Sequence, residues 1–175
     1  MTVGPWKPIN LHTYKTRIVE LHIRSEISEL LDVNMTVDFT LSDTTPAFGS
    51  LIIKNCKQRN IFDESELMIY EGHARREFYF GPGVLDLWYP VGYGQQPSYT
   101  VEVQITDRVI VLTQSHVLFL LIELQDGNLL DVKSQKIAFR RVRVVQEKLV
   151  DQGGLSFLFE INNVRVFCGG ISTVL

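Results

Sequence analysis

The stretch "LWYPVGYGQQPSYTVEV", residues 87–103, changes character halfway along. Its first part holds Pro90 and Pro97, which cannot donate to a strand ladder, and Gly92 and Gly94, which reach backbone angles that side chains forbid. That composition reads as a loop crossing between strands. At Tyr99 the pattern becomes strict alternation: Tyr99, Val101, Val103 and Ile105 point one way and their neighbours the other, as in a strand with one buried face. The stretch therefore predicts a crossover followed by a core strand, and the question is whether the rest of the chain repeats that alternation.

It does so nearly everywhere. "MTVDFTLS" alternates Met35, Val37, Phe39 and Leu41 with polar partners, and "RIVELHIR" places Ile18, Glu20 and His22 opposite Val19, Leu21 and Ile23. "SLIIKN", "LMIYEG", "REFYFG", "KIAFRRVRVV", "LSFLFEI" and "VRVFCG" follow, separated by Asp, Gly, Pro and Asn clusters suited to turns. Two acid-rich segments, "SEISELLD" (25–32) and "FDESELMI" (62–69), offer helix starts, with a bulge or a loop-to-strand junction as the competing reading. Many short strands between turns predict an all-β, immunoglobulin-like β-sandwich, because two sheets then bury their alternating faces against each other.

Composition narrows the function classes. The chain has 175 residues, 45% of them hydrophobic and 21% charged, which describes a globular domain. A net charge of −3 supplies no basic footprint, so no nucleic-acid partner is expected. No run reaches the roughly 18 apolar residues that span a bilayer, so no membrane partner is expected either. The N-terminal residues lack the apolar core of a signal peptide, which slightly favours a cytoplasmic setting. The triplet Asn34, Met35, Thr36 matches a glycosylation sequon and by itself decides nothing.

Few residues suggest chemistry. Cys56 and Cys168 are expected to be buried thiols, since free cysteine packs as a small hydrophobe. Asp63, Glu64 and Glu66 read as a solvated acidic loop. His12, His22, His73 and His116 show no metal-ligand spacing, and Ser25, Ser28 and Ser65 lack a nucleophile-elbow context. On a continuous strand Arg141 and Arg143 would share one face, solvated or between domains, with Arg140 on the other beside Val142 and Val144. Trp88, Tyr89 and Tyr93 have two readings: a stacking platform for a sugar ring, or pins that hold the loop to the end of the sandwich. No catalytic, substrate-binding, metal or cofactor residue is assigned, and no cofactor is expected.

Four blocks, in order, resemble β-mannosidases of glycoside hydrolase family 2. "DLWYPVGYGQQPSYTVEV" is similar to that family's aromatic-proline run and glycine-rich turn, and "MTVGPWKPINLHTY" to the last strand of its N-terminal sugar-binding jelly roll. "KSQKIAFRRVRVVQE" resembles the last strand of its immunoglobulin-like second domain, and "LSFLFEINNVRVFCGG" the hairpin that enters the (β/α)₈ catalytic barrel. The resemblance implies an internal fragment. Residues 1–11 would be the tail of the jelly roll, 12–146 the immunoglobulin-like sandwich, and 147–175 a linker and the first hairpin of a truncated barrel. Enzymes of this family remove terminal non-reducing β-D-mannose with retention, using an acid and a nucleophilic carboxylate roughly 5 Å apart. Both lie on barrel strands. The family's acid follows an asparagine, and no Asn-Glu pair occurs in this sequence. The fragment is therefore expected to be an inactive scaffold that packs against jelly roll and barrel, with β-mannosides or mannose-containing oligosaccharides as substrates of the parent enzyme.

Two departures accompany the resemblance. Residues 109–122, almost wholly uncharged, stand where the family has a short turn; they would lay an apolar segment on a sheet edge and suggest a retained intron or other gene-model error. After "FCGG" the family continues Asn-Trp-Ile-Pro, whereas this chain reads "ISTVL". Two alternatives stay open: a stand-alone sandwich that binds carbohydrate or protein, and the same domain of a sibling glucosaminidase, galactosidase or glucuronidase.

Overall fold

A computed structural model of the chain describes residues 11–44, 47–107, 110–114, 120–124, 127–149 and 153–168. The described residues form strands and no helix. One three-stranded sheet has the order β1 (Ile18–Ile27), β2 (Val33–Leu41), β5 (His73–Phe80). The facing sheet has the order β4 (Asn60–Ile69), β3 (Ala47–Lys54), β6 (Tyr99–Thr106), β9 (Leu129–Ile137). All neighbours are antiparallel, and the strand order crosses between sheets as in an immunoglobulin-like sandwich.

Alternation builds the core between them. Val33, Met35, Val37 and Phe39 of β2 face Leu51 and Ile53 of β3 and Val101, Val103 and Ile105 of β6, all fully buried. The loop 81–98 carries the chain from the first sheet to the second, as its prolines and glycines predict. Neither helix candidate is helical: in 25–32, residues 25–27 end β1 and 28–32 turn into β2, the loop-to-strand junction, and 62–69 lie in β4.

Strict alternation fails at register shifts in three of the ladders, two of which move side chains singled out above. The β1–β2 register slips between Ile18 and Glu20, so Ile18 and Leu21 both point inward and Val19 is exposed. In β4 the register jumps from Leu67 to Glu64 across from Gly49 and Leu51, leaving Ser65 and Glu66 at the bulge. Asp63, Glu64 and Glu66 are thus on a strand, not in a solvated loop. Glu64 accepts from Nε and Nη2 of Arg76 on β5 at 3.2 Å, tying the two sheets together at one seam. At the other seam the Ile18 amide donates to Asp131 Oδ2 at 2.8 Å, and Lys133 Nζ donates to the Val19 carbonyl at 2.8 Å.

The expected continuous strand "KIAFRRVRVV" is broken. β9 ends at Ile137, Phe139 turns into the core against Tyr99 with ring centroids 5.1 Å apart, and β10 (Val142–Val145) joins a different sheet. That sheet has the order β10, β11 (Leu158–Ile161), β12 (Val164–Val166). Across residues 109–122 and just beyond, β7 (Ile110–Gln114) and β8 (Leu120–Leu124) pair with each other in a two-stranded sheet of their own, not on the sandwich edge. At the base of that excursion the Asp107 amide donates to the Asn128 carbonyl at 3.1 Å, so the β6–β9 ladder is closed across it.

One outward-facing pair gives the fold a measurable acid sensitivity. Glu102 on β6 accepts from Gln104 Nε2 at 2.8 Å and from Lys54 Nζ at 3.2 Å, and these contacts hold its carboxyl below the ordinary glutamate range against a smaller opposing effect of burial. A carboxyl depressed in the folded state adds stability that is present above its unfolded pKa and is lost as pH falls through the folded pKa. In urea unfolding, wild type is expected to exceed Glu102→Gln in midpoint at pH 7, and the gap to close at pH 3. A gap that persists at pH 3 would assign the effect to packing instead.

Candidate functional site

The loop 81–98 is anchored from below by Tyr99. Its hydroxyl accepts from the Asp86 amide at 2.7 Å and donates to the Asp86 carbonyl at 3.2 Å. Burial pushes the phenol above its ordinary range, so it stays protonated and able to donate. A tyrosine at the start of this strand bonded back to the preceding loop resembles the tyrosine corner of immunoglobulin-like sandwiches, with its backbone partner 13 residues upstream instead of a few. Leu85 is buried beneath the loop, and the Trp88 amide donates to the Phe139 carbonyl at 2.8 Å.

The two glycines act differently. Gly92 has φ +89, the left-handed region that side chains avoid. Gly94 has no such angle: a Cβ there would lie 2.9 Å from Cβ and Cγ of Tyr89, so glycine is needed for the backbone to rest on the Tyr89 side chain. Gln96 Nε2 donates to the carbonyls of Tyr89 and Gly94, closing the loop on itself. The Arg140 guanidinium stacks 4.8 Å over the Trp88 ring. Beside the loop is a cleft of about 710 Å³ lined by Cys56, Lys57, Tyr89, Tyr93, Gln96 and Pro97 among others.

The outer side of the loop receives the β11–β12 hairpin. Asn162 and Asn163 both have positive φ, +49 and +66, as a tight hairpin turn demands and as asparagine tolerates. The Asn162 side chain is 2% exposed and bridges two elements: Oδ1 accepts from the Arg141 amide at 2.8 Å, and Nδ2 donates to the Trp88 carbonyl at 2.9 Å. Asn163 Nδ2 donates to the Glu29 carbonyl in the β1–β2 turn at 2.8 Å. The Phe167 amide, past β12, donates to the Tyr93 hydroxyl at 2.9 Å. Tyr93 through its hydroxyl and Trp88 through its backbone carbonyl therefore hold the hairpin as well as the loop.

Arg141 and Arg143 complete this latch. Arg141 Nη2 reaches Glu29 at 3.0 Å, and Arg143 Nη2 reaches Glu160 at 3.1 Å, where Glu160 is nearly buried. Arg140 leaves them and serves Trp88. Nothing local marks Asn162, whose importance depends on a partner 74 residues away.

Other singled-out residues are dispersed. His22 pairs with Glu20 and His73 with Asp38, His12 is exposed, and His116 lies outside the described residues. Ser28 Oγ donates to Asp32 within its turn, while Ser25 and Ser65 are exposed. Among the described residues no group of three His, Cys, Asp or Glu side chains is placed to hold a metal ion. Cys56 and Cys168 are exposed, not buried, because Cys56 sits in the β3–β4 turn and Cys168 beyond β12, off any inward strand face.

No family model matches the chain. Individual relatives do. It is 28% identical over 97% of its length to Beta-mannosidase B of Thermothelomyces thermophilus and 24% identical over 97% to Beta-mannosidase of Bos taurus. The chain resembles one stretch of β-mannosidase. It spans 18% of the length of each of these relatives. Among solved structures, Beta-D-Mannosidase from Dictyoglomus thermophilum matches over 89% of this chain and 17% of that one, with a TM-score of 0.59 and 23% identity. A Parabacteroides merdae beta-glucuronidase matches over 87% and 16%, with a TM-score of 0.57 and 14% identity. These structures show the sandwich fold, and the β-mannosidase resemblance itself rests on the sequence matches.

Proposed function

We propose that this chain is the scaffold portion of a β-mannosidase-type exo-glycosidase, which hydrolyses terminal non-reducing β-D-mannose with retention, and that the chain itself supplies no catalytic carboxylate. The observation that carries this reading is the match to β-mannosidases along 97% of the chain and only 18% of theirs. In this reading residues 1–11 end a jelly roll, 12–146 form the sandwich, and 147–175 lead towards a catalytic barrel. β10 lies in the second segment and pairs with β11 in the third, and Asn162 of the third bonds to Arg141 and Trp88 of the second, so the two segments are fastened together.

The carboxylates support a structural role. Among the described residues, Glu64, Glu102 and Glu160 are partly or largely buried and have the cationic partners Arg76, Lys54 and Arg143. A glycosidase acid requires an apolar pocket that raises its pKa, and these three are ion-paired instead. The sugar-binding alternative draws little from the aromatic loop, where Gln96 is committed to the loop's own carbonyls and Tyr93 to Phe167.

The test is hydrolysis of chromogenic β-mannoside, β-glucoside and β-galactoside, first by the chain alone and then by a chimera in which it replaces the matched stretch of the Thermothelomyces relative. The chain alone is expected to show no turnover and the chimera to hydrolyse the mannoside. Saturable turnover by the chain alone would overturn the scaffold assignment.

A further inference from the structure

The triplet Asn34, Met35, Thr36 is the one Asn-x-Ser/Thr sequence in the chain, and it lies on β2. Met35 is buried in the core, so alternation turns Asn34 and Thr36 to the outer face of the β1–β2–β5 sheet, where Asn34 is exposed. Strands disfavour asparagine, because its short amide competes for backbone groups unless a partner ties it down. Among the described residues, the side chains of Asn55, Asn60, Asn128, Asn162 and Asn163 are all hydrogen-bonded. That of Asn34 is not, so the fold makes no use of this amide.

Its surroundings suit a sugar ring. The register places Tyr79 of β5 directly across from Asn34 on one side and Glu26 of β1 on the other. Residues opposite one another on antiparallel strands have Cβ atoms about 5 Å apart, so a ring joined to Asn34 reaches the face of Tyr79. Tyr79 is 67% exposed, and among the described residues neither it nor Arg24, Glu26 or Thr36 makes a side-chain hydrogen bond, ion pair or ring contact. A shallow depression of about 520 Å³ lies here, lined by Arg24, Glu26, Asn34, Thr36 and Tyr79 among others. The remainder of the same face is paired off: His22 with Glu20, His73 with Asp38, Arg75 with Glu77. An open aromatic ring accepts the C–H face of a pyranose, and the free donors and acceptors beside it accept hydroxyls.

We propose that Asn34 is a modification site that carries an N-linked oligosaccharide, with its first sugar resting on Tyr79. The donor is a lipid-pyrophosphate-linked oligosaccharide. Nδ2 of Asn34 forms a bond to C1 of the first sugar, the C1–O bond to phosphate breaks, the amide gives up one proton, and the lipid pyrophosphate leaves with the electron pair. The Thr36 hydroxyl, two residues on, completes the recognised triplet. β5, which pairs with the second edge of β2, comes later in the chain, so the triplet is available as an extended segment before its sheet is complete. Delivery to the secretory lumen rests on the reading under Proposed function: within a longer polypeptide it is directed by that polypeptide's own leader, and the lack of an apolar leader in these residues does not bear on it.

Mass spectrometry of the protein isolated from its own cells tests the site. The tryptic peptide 25–54, bounded by Arg24 and Lys54, is expected with an oligosaccharide on Asn34, and with position 34 converted to the acid after release by a glycan amidase. Recovery of that peptide only in unmodified form would overturn the proposal. The full chain, secreted from a eukaryotic host behind a cleavable leader, tests the seat. Wild type is expected to lose mass on amidase treatment, and Asn34→Gln and Thr36→Ala to lose none; no loss from wild type would also overturn the site. The same treatment is expected to lower the Tm of wild type by about 1–4 °C more than that of Tyr79→Ala, the acid left at position 34 being common to both. Equal shifts would overturn the seat on Tyr79. Neither arm reads hydrolysis, so an unmodified Asn34 beside an active chimera tells against this site alone, and a glycosylated Asn34 beside an inactive chimera tells against the function reading alone.

Discussion

Replacing Phe39 by alanine is expected to lower the unfolding free energy by about 3–5 kcal/mol. Phe39 is fully buried at the middle of β2, the central strand of its sheet, paired with Leu21 on one side and Ala74 on the other. Its removal takes away the transfer free energy of the ring and leaves a cavity that two hydrogen-bonded neighbours prevent from collapsing. A domain of this size has roughly 5–15 kcal/mol in total, so the variant loses a large share of it. Urea unfolding followed by tryptophan fluorescence reads the loss. Phe167→Ala is the matched control: that ring is 82% exposed, and its truncation is expected to leave the midpoint within experimental scatter. Similar losses for both would mean that the core does not lie between the two sheets.

The second large effect is local. Asn162→Ala removes both side-chain bonds of a residue that is 2% exposed, leaving the Arg141 amide and the Trp88 carbonyl without that partner. Each unmatched buried polar group costs about 1–3 kcal/mol, and alanine in the left-handed region adds about 1–2 kcal/mol. The loss falls on the attachment of β10, β11 and β12, not on the sandwich. Hydrogen exchange at residues 158–166 is therefore expected to accelerate at least a hundredfold while amides of β2 and β6 keep their protection. Asn162→Gly separates the contributions: it accepts the φ of +49 without strain but lacks the side chain, so it should recover only the backbone part. If β2 and β6 lose protection equally, the small sheet is part of one cooperative unit and the latch has no separate role.

The contrast between these two residues shows what the sequence makes legible. Phe39 and the β6 residues Val101, Val103 and Ile105 are readable because period-two burial leaves a local trace. The bulge at Val19 is not, since one extra residue in a ladder has no compositional mark and only the partner strand reveals it. The break after Ile137 is hidden for a related reason: "KIAFRRVRVV" alternates well enough to read as one strand, and it is the demand of the core for Phe139 beside Tyr99 that splits it. The cysteines mislead because a residue's average tendency to be buried says nothing of its place in a turn. The aromatic loop lies between these extremes. Its prolines and Gly92 announce a crossing, yet Gly94 against Tyr89, and the reception of Asn162 and Phe167, depend on groups that meet only in three dimensions.

The seam between β1 and β9 has a consequence for how the molecule is made. Ile18 and Asp131, which share a hydrogen bond, are separated by 113 positions along the chain. During synthesis the first strand leaves the ribosome long before its seam partner exists, and the hairpin of β7 and β8 must emerge in between. Closing so long a loop is entropically unfavourable, though the cost grows only logarithmically with length. Sandwiches dominated by such distant pairings fold in milliseconds to seconds, not microseconds. The nascent chain therefore carries an open β1 edge until β9 emerges, a window in which a chaperone or a neighbouring nascent chain competes with Asp131 and Lys133 for the same strand.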